Sequence, residues 1–268
     1  MSLSVKKGGM MIKKKSVTLI LAILMVISFC KKDVKIIPNY LRKGTVEYHT
    51  NMGYKYMSLG SFDASAKQFQ IALKKRPMFM RAVMGLGIVY LKQMKFKMSL
   101  QEFKKIIDKN PDNADAFNFI GIIHSEQGNY KLAKENFLVA ANSKTYSNPE
   151  NAFLNLAMLE MKQKRSDKAL RYIEKGLIKN PEFVQLYNLR GNIYENKGFY
   201  KKAVSNYERA LQLSRVKDIS IKINVARGYI KMGQSDKALS LLENMLGDAP
   251  STQVRRLILD MIKQIEDK

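Results

Sequence analysis

The stretch Val184–Lys217 reads VQLYNLRGNIYENKGFYKKAVSNYERALQLSRVK, and its spacing decides the fold. Gly198 near its middle is a helix-stop and turn signal, so the stretch divides into two helices. Gly191 and Tyr194 fall in the first helix; Ala203, Tyr207 and Ala210 fall in the second. At 3.6 residues per turn, the last three lie on one face. Small residues let two helices approach closely, and the rings fill the space beside them.

The same arrangement recurs along the chain. The small residue of the first helix is Gly53, Gly87, Gly121, Ala157, Gly191 and Ala226, at spacings of 34, 34, 36, 34 and 35 residues. Its counterpart in the second helix is Ser65, Ser99, Ala133, Ala169, Ala203 and Ala238. Four positions on stand Phe69, Phe103, Phe137, Ile173, Tyr207 and Leu242. Pro77, Pro111, Pro181 and Pro250 mark helix ends, because proline cannot continue the hydrogen-bond ladder. Gly60, Gly128, Gly198 and Gly233 mark turns. Six units follow, over 46–79, 80–113, 114–147, 150–183, 184–217 and 219–252. The extra residues fall in Ser143–Pro149 and near Arg215–Ile219, where an insertion belongs to a loop. A last helix follows within 253–268, with Val254, Leu257, Ile258, Met261 and Ile265 on its apolar side.

A 34-residue helix–turn–helix with Gly-x-x-Tyr and then Ala-x-x-x-aromatic-x-x-Ala resembles the tetratricopeptide repeat. That resemblance covers about residues 46–252. It implies an all-α, right-handed superhelical solenoid of six repeats closed by a capping helix. A single repeat leaves an apolar face bare, and stacking buries it.

Composition agrees with a helical chain: 46% apolar and 26% charged residues, with 15 Gly and 6 Pro among 268. One Cys and two His exclude an internal disulfide and make a poor metal inventory. No Gly-rich phosphate loop precedes a helix, no cofactor is implied, and no nucleophile–base pair can be assembled. His124 takes the place held by Tyr56, Tyr90 and Tyr194 in other repeats, and His49 takes an early aromatic place, so both read as packing residues. The chain therefore reads as a binding protein and not as an enzyme. Its net charge of +24 comes mainly from lysines spread over every repeat. That describes a solvated surface better than a nucleic-acid footprint.

The N-terminus differs from the rest. Lys13–Lys15 precede Val17–Phe29, thirteen residues without a charge, and then Cys30. A spanning helix needs about 20 residues. A basic region before a short apolar run reads as a secretory signal over residues 1–30. Met10 and Met11 are alternative starts. The run ending at the only Cys resembles a bacterial lipoprotein signal, in which that Cys carries the lipid. Ile27 and Ser28 fit its pattern, whereas Phe29 stands where a small residue is usual. The alternative is a short, uncleaved anchor. Either reading puts the repeats outside the cytoplasm on a membrane, behind a tether over residues 31–45 that contains Pro38. Lys31 follows the Cys, so the aspartate that retains lipoproteins in the inner membrane is absent and the outer membrane is favoured.

Partner binding is expected on the concave face, lined by the first helices. Helical geometry near each small residue assigns that face Asn51, Tyr54, Met84, Ile88, Asn118, Ile122, Leu154, Met158, Asn188, Asn192, Asn224 and Arg227. The middle of this list is apolar and suits an apolar peptide or helix; the Asn residues suit an extended backbone. A tighter superhelix would bury the same side chains. Lys92 and Arg227 stand alone, which disfavours an acidic C-terminal ligand.

A narrower resemblance is to the type IV pilus biogenesis/stability lipoproteins, the PilF/PilW pilotin family. Tyr146 and Pro149 of the third linker precede Phe153, Asn155, Leu156 and Ala157, similar to that family's linker. The resemblance implies a non-catalytic, lipid-anchored envelope adaptor whose partner is an outer-membrane secretin. A general envelope scaffold, organising barrel assembly or peptidoglycan enzymes, is the alternative. If Cys30 is lipidated, a labelled fatty acid should enter the wild-type chain and not Cys30→Ala, and the variant should leave the membrane fraction. An unlabelled chain retained equally in both forms refutes lipidation.

Overall fold

The computed structural model describes residues 42–214 and 218–267; the apolar head, Cys30 and most of the tether lie outside them. Thirteen helices and no strand occur among the described residues. They pair as α1 Val46–Ser58 with α2 Phe62–Lys75, α3 Met80–Lys92 with α4 Phe96–Lys109, and α5 Ala114–Glu126 with α6 Tyr130–Asn142. Then come α7 Pro149–Lys162 with α8 Ser166–Lys179, α9 Val184–Asn196 with α10 Tyr200–Leu213, and α11 Ile219–Lys231 with α12 Ser235–Leu246. Helix α13, Thr252–Glu266, closes the stack. None of these helices is long and apolar enough to cross a membrane.

Local chemistry starts and stops them. Side chains of Thr45, Asn113, Asp218 and Ser251 accept from the first free backbone N–H groups of α1, α5, α11 and α13. Pro149 opens α7, where its missing N–H costs nothing. The turn inside each repeat needs one left-handed residue. Repeats two and four place Met94 (φ 58°) and Lys164 (φ 59°) there instead of glycine, which carries a steric cost.

Each pair is closed by a ring or branched side chain against a small residue. Phe69, Phe103, Ile173, Tyr207 and Leu242 are fully buried, and Phe137 nearly so. A Cβ at Gly191 would meet Tyr207 Cε1 at 2.4 Å. One at Gly53 or Gly85 would meet Phe69 at 2.6 or 2.3 Å, so this ring is gripped by both α1 and α3 and joins two repeats. Ser65 and Ser99 donate to the Gly53 and Gly87 carbonyls at 2.7 Å, tying second helix to first.

The long third linker is more than a spacer. Tyr146 is buried among Ala141, Ala152, Phe153 and Leu156. It hydrogen-bonds Asp115, and burial followed by the Asp115 charge raises its phenol above the usual range. The ring fills the gap that two extra residues would otherwise open. The linker segment from Tyr146 through Pro149 to Phe153 is thus a packing device.

Three departures from the simple pattern are informative. Leu257, expected on the apolar side of α13, is 46% exposed. The helix docks through Val254, Ile258, Met261 and Ile265, and Leu257 lies at the margin of that stripe. Glu160 stands in the aromatic register of the fourth repeat with its side chain fully buried; Lys134 Nζ from α6 reaches it at 2.8 Å and Arg165 approaches at 3.7 Å. The Glu160 hydrogen bond is the main cause of the raised Lys134 pKa. His124 also occupies the aromatic register; its Nδ1 is buried without a hydrogen-bond partner. His49, by contrast, bonds Gln68 at 2.8 Å.

Two stability measurements test this packing. Gly191→Ala must move a buried Tyr207 ring, so it is expected to cost about 1–3 kcal/mol in urea unfolding despite the better helix propensity of alanine; no loss would show that the contact is loose. Burial first, and the Lys104 ammonium second, hold the His124 pKa below its ordinary value. As pH falls below about 6.5, the unfolded chain takes up this proton before the folded one, so stability is lost. His124→Tyr should therefore lose less stability than wild type between pH 7.5 and pH 5. Parallel pH profiles would contradict the assignment.

Candidate concave groove

Helices α1, α3, α5, α7, α9 and α11 line the inner face of the stack. Their side chains bond from one repeat to the next, so the groove floor is a built surface. Tyr54 packs edge-on against Phe69 at 5.0 Å and donates to the Arg81 carbonyl at 2.8 Å. Arg81 lies over the Tyr54 ring and reaches Asn51 Oδ1 at 3.5 Å. Asn155 Nδ2 donates to Asn118 Oδ1 at 2.9 Å, and Asn224 Nδ2 donates to Asn188 Oδ1 at 3.0 Å. Lys162 pairs with Glu126 across the third and fourth repeats at 2.8 Å.

The C-terminal half is a polar network. The Tyr207 hydroxyl has two acceptors, Asn192 Oδ1 at 2.7 Å and Glu195 Oε2 at 2.6 Å. Glu195 also meets Arg227 Nε at 3.1 Å, and Arg227 bonds Asn224. Burial and then the Glu195 bond raise the Tyr207 phenol far above its ordinary value. Close by, the hydrogen bond to Glu208 and then burial push Tyr229 up to about 12. These phenols stay protonated and act as donors, which fixes the groove wall.

The expected groove residues divide accordingly. Asn118 is 6% exposed, so it joins repeats and does not offer itself to a ligand. Its reading as a groove contact is corrected: a neighbouring first helix covers it, because adjacent repeats pack closely enough for Asn155 to reach it. Asn188 and Asn192 are half-buried and already bonded within the chain. Met84, Ile88, Ile122 and Leu154 are half-buried against the core, and Met158 is 46% exposed. The apolar strip across repeats two to four exists with its lower half buried. Sequence reasoning missed Glu195 and Asn155 as groove residues; for Asn155 the available signal was the pairing of asparagines 36 or 37 residues apart. The described residues hold no group of three or more His, Cys, Asp or Glu placed for a metal.

Known proteins share this architecture. A tetratricopeptide repeat profile matches residues 50–105, and the profile of the tetratricopeptide repeat protein 21 C-terminal ARM domain matches residues 138–263. The structure of PilF from Pseudomonas aeruginosa is similar over 80% of this chain and 96% of its own, with TM-score 0.62 and 20% identity. PilW, described as a widely conserved type IV pilus biogenesis factor, is similar over 80% and 98%, with TM-score 0.66 and 17% identity. The Cut9–Hcn1 structure of the APC/C matches 89% of this chain and 46% of its own, with TM-score 0.65 and 16% identity. Among curated sequences, anaphase-promoting complex subunit 3 of Schizosaccharomyces pombe is 32% identical over 119 residues, which span 44% of this chain and only 18% of that relative. Register, helix pairing and matches together identify the chain as a tetratricopeptide-repeat protein whose solenoid resembles those of PilF and PilW.

Proposed function

We propose that this protein is a non-catalytic adaptor of the bacterial cell envelope, held to a membrane through lipidated Cys30 with its repeats facing the periplasm. Its concave groove receives a segment of an envelope protein. The observation that carries the reading is the strip of Met84, Ile88, Ile122, Leu154 and Met158, half-open between two polar ends. Apolar side chains kept at a groove surface suit a partner that brings its own apolar residues, and methionine adapts to irregular shapes. The polar network around Glu195 and Arg227 supplies direction. The fold shared with PilF and PilW over 80% of this chain suggests a role in type IV pilus biogenesis, for which we further propose an outer-membrane secretin as partner and the outer membrane as the site. A general scaffold lipoprotein is the second reading, since the Cut9 and subunit 3 likenesses show this solenoid inside other assemblies.

The groove is tested by crosslinking and pull-down from envelope extracts. Met84→Asp/Met158→Asp sets two desolvated carboxylates against the ligand and should lower partner recovery about tenfold or more, with helicity unchanged. Equal recovery from a folded variant rejects the groove. Recovery of a secretin supports the pilus role; recovery of a different assembly favours the scaffold reading.

A further inference from the structure

The turns inside the repeats all lie along one edge of the stack. Hydrogen bonds join neighbouring turns at three junctions: Gln93 to Asp63 at 2.7 Å, Lys162 to Glu126 at 2.8 Å and Lys197 to Asp167 at 2.7 Å. Three acidic side chains on this edge are thereby occupied, and Asp236 of the sixth repeat is an exposed acid in the same register. Exposed lysines at 95, 97, 131, 164 and 201 remain. Large apolar side chains stand among them: Leu59 is 66% exposed, Met94 69% and Phe199 50%. The opposite edge mixes signs, with exposed Asp112 and Glu182 near Lys109 and Lys179.

Met94 sharpens the contrast. It holds a left-handed conformation at φ 58°, at the position filled by Gly60, Gly128, Gly198 and Gly233 in four other repeats and by Lys164 in the fourth. Glycine is the easier residue there. A strained methionine at the tip of a turn, flanked by Lys95 and Lys97, has no packing role that repays it.

From this geometry we infer that the turn edge is a second binding surface, docking on an anionic lipid headgroup layer with Leu59, Met94 and Phe199 dipping into the interface. Lysines attract such a layer, and protruding apolar side chains enter the boundary below it. The charge pattern disfavours a protein partner, because lysine is depleted at protein interfaces. Leu59 and Met94 present no plane for stacking on bases, which disfavours nucleic acid. The inference rests on the membrane-anchored reading for the nearness of a bilayer. Residues 31–45 can span at most about 50 Å, and a repeat helix is about 20 Å long, so either edge can face the membrane. Docking by the turn edge would lay the solenoid on the surface and fix where its groove points.

The chain has no Trp, so one introduced indole reports its own position. The full-length chain would be placed in nanodiscs of brominated lipid, either neutral or about one-third phosphatidylglycerol, as Met94→Trp and as Ile178→Trp, an exposed position away from the turn edge. Emission from Met94→Trp is expected to be roughly halved in anionic discs. It should recover in about 0.5 M salt, where the Debye length is only about 4 Å. Lys95→Gln/Lys97→Gln in that background should weaken docking about tenfold or more. Ile178→Trp should be unaffected. No quenching of Met94→Trp, equal quenching of both reporters, or equal quenching in neutral discs overturns the inference. A response to single-stranded RNA in detergent, with none in anionic discs, overturns it in favour of a nucleic acid. A chain that stays in the discs with its indole unquenched refutes docking alone; one that leaves neutral discs yet is quenched by anionic ones refutes the anchor alone.

Discussion

Every repeat depends on one contact, the bulky second-helix side chain seated against a residue too small to resist it. Phe69 shows the constraint most fully. Its ring lies so close to Gly53 and Gly85 that neither could bear a Cβ without displacement. The contact sets the distance between paired helices, and, because Gly85 belongs to the next repeat, it also sets the step between repeats. Tyr207 repeats the arrangement against Gly191 and adds a hydroxyl that reaches into the groove network. Close approach of backbones follows from having no side chain in the way, and the buried ring supplies apolar area that stabilises the pair.

Stacking of identical units lets polar exceptions accumulate where neighbours can satisfy them. Glu160 takes an aromatic's place and is bonded by Lys134 from the preceding repeat. Asn118 takes an inner-face place and is bonded by Asn155 of the following one. Such pairs contribute little net stability against an apolar alternative, but breaking one leaves a buried polar group exposed to its full desolvation cost. They fix which repeat follows which. The solenoid therefore reads as a specific order of units with distinct junctions, and Tyr146 at the longest linker belongs to the same logic.

The two surfaces have different chemistry. First helices nearly balance their charges and present the Met84–Met158 strip, whereas second helices and the turns between carry most of the lysine excess. A near-neutral, partly apolar groove selects a partner by shape and apolar anchors. A basic outer edge acts at longer range on any anionic layer. Separate faces would let the proposed groove partner and the proposed anionic layer be engaged at once.

Periodicity alone determined the helix pairs, their turns and the repeated core positions, though not Tyr146, which is buried, or Leu257, which is exposed. These are local or nearest-neighbour properties: a 34-residue spacing and helical geometry suffice to place Gly191 opposite Tyr207. The register also set His124 in the aromatic position, where it is half-buried. Tertiary structure decided the state of the groove. Helical phase puts Asn118, Asn188 and Met84 on one face, but whether that face is open depends on how far apart successive first helices lie. That distance is set by side chains in adjacent repeats, some 36 or 37 residues away. The linker told the same lesson, since nothing in SKTYSNP announces that Tyr146 turns inward; only the gap waiting between α5 and α7 draws it there.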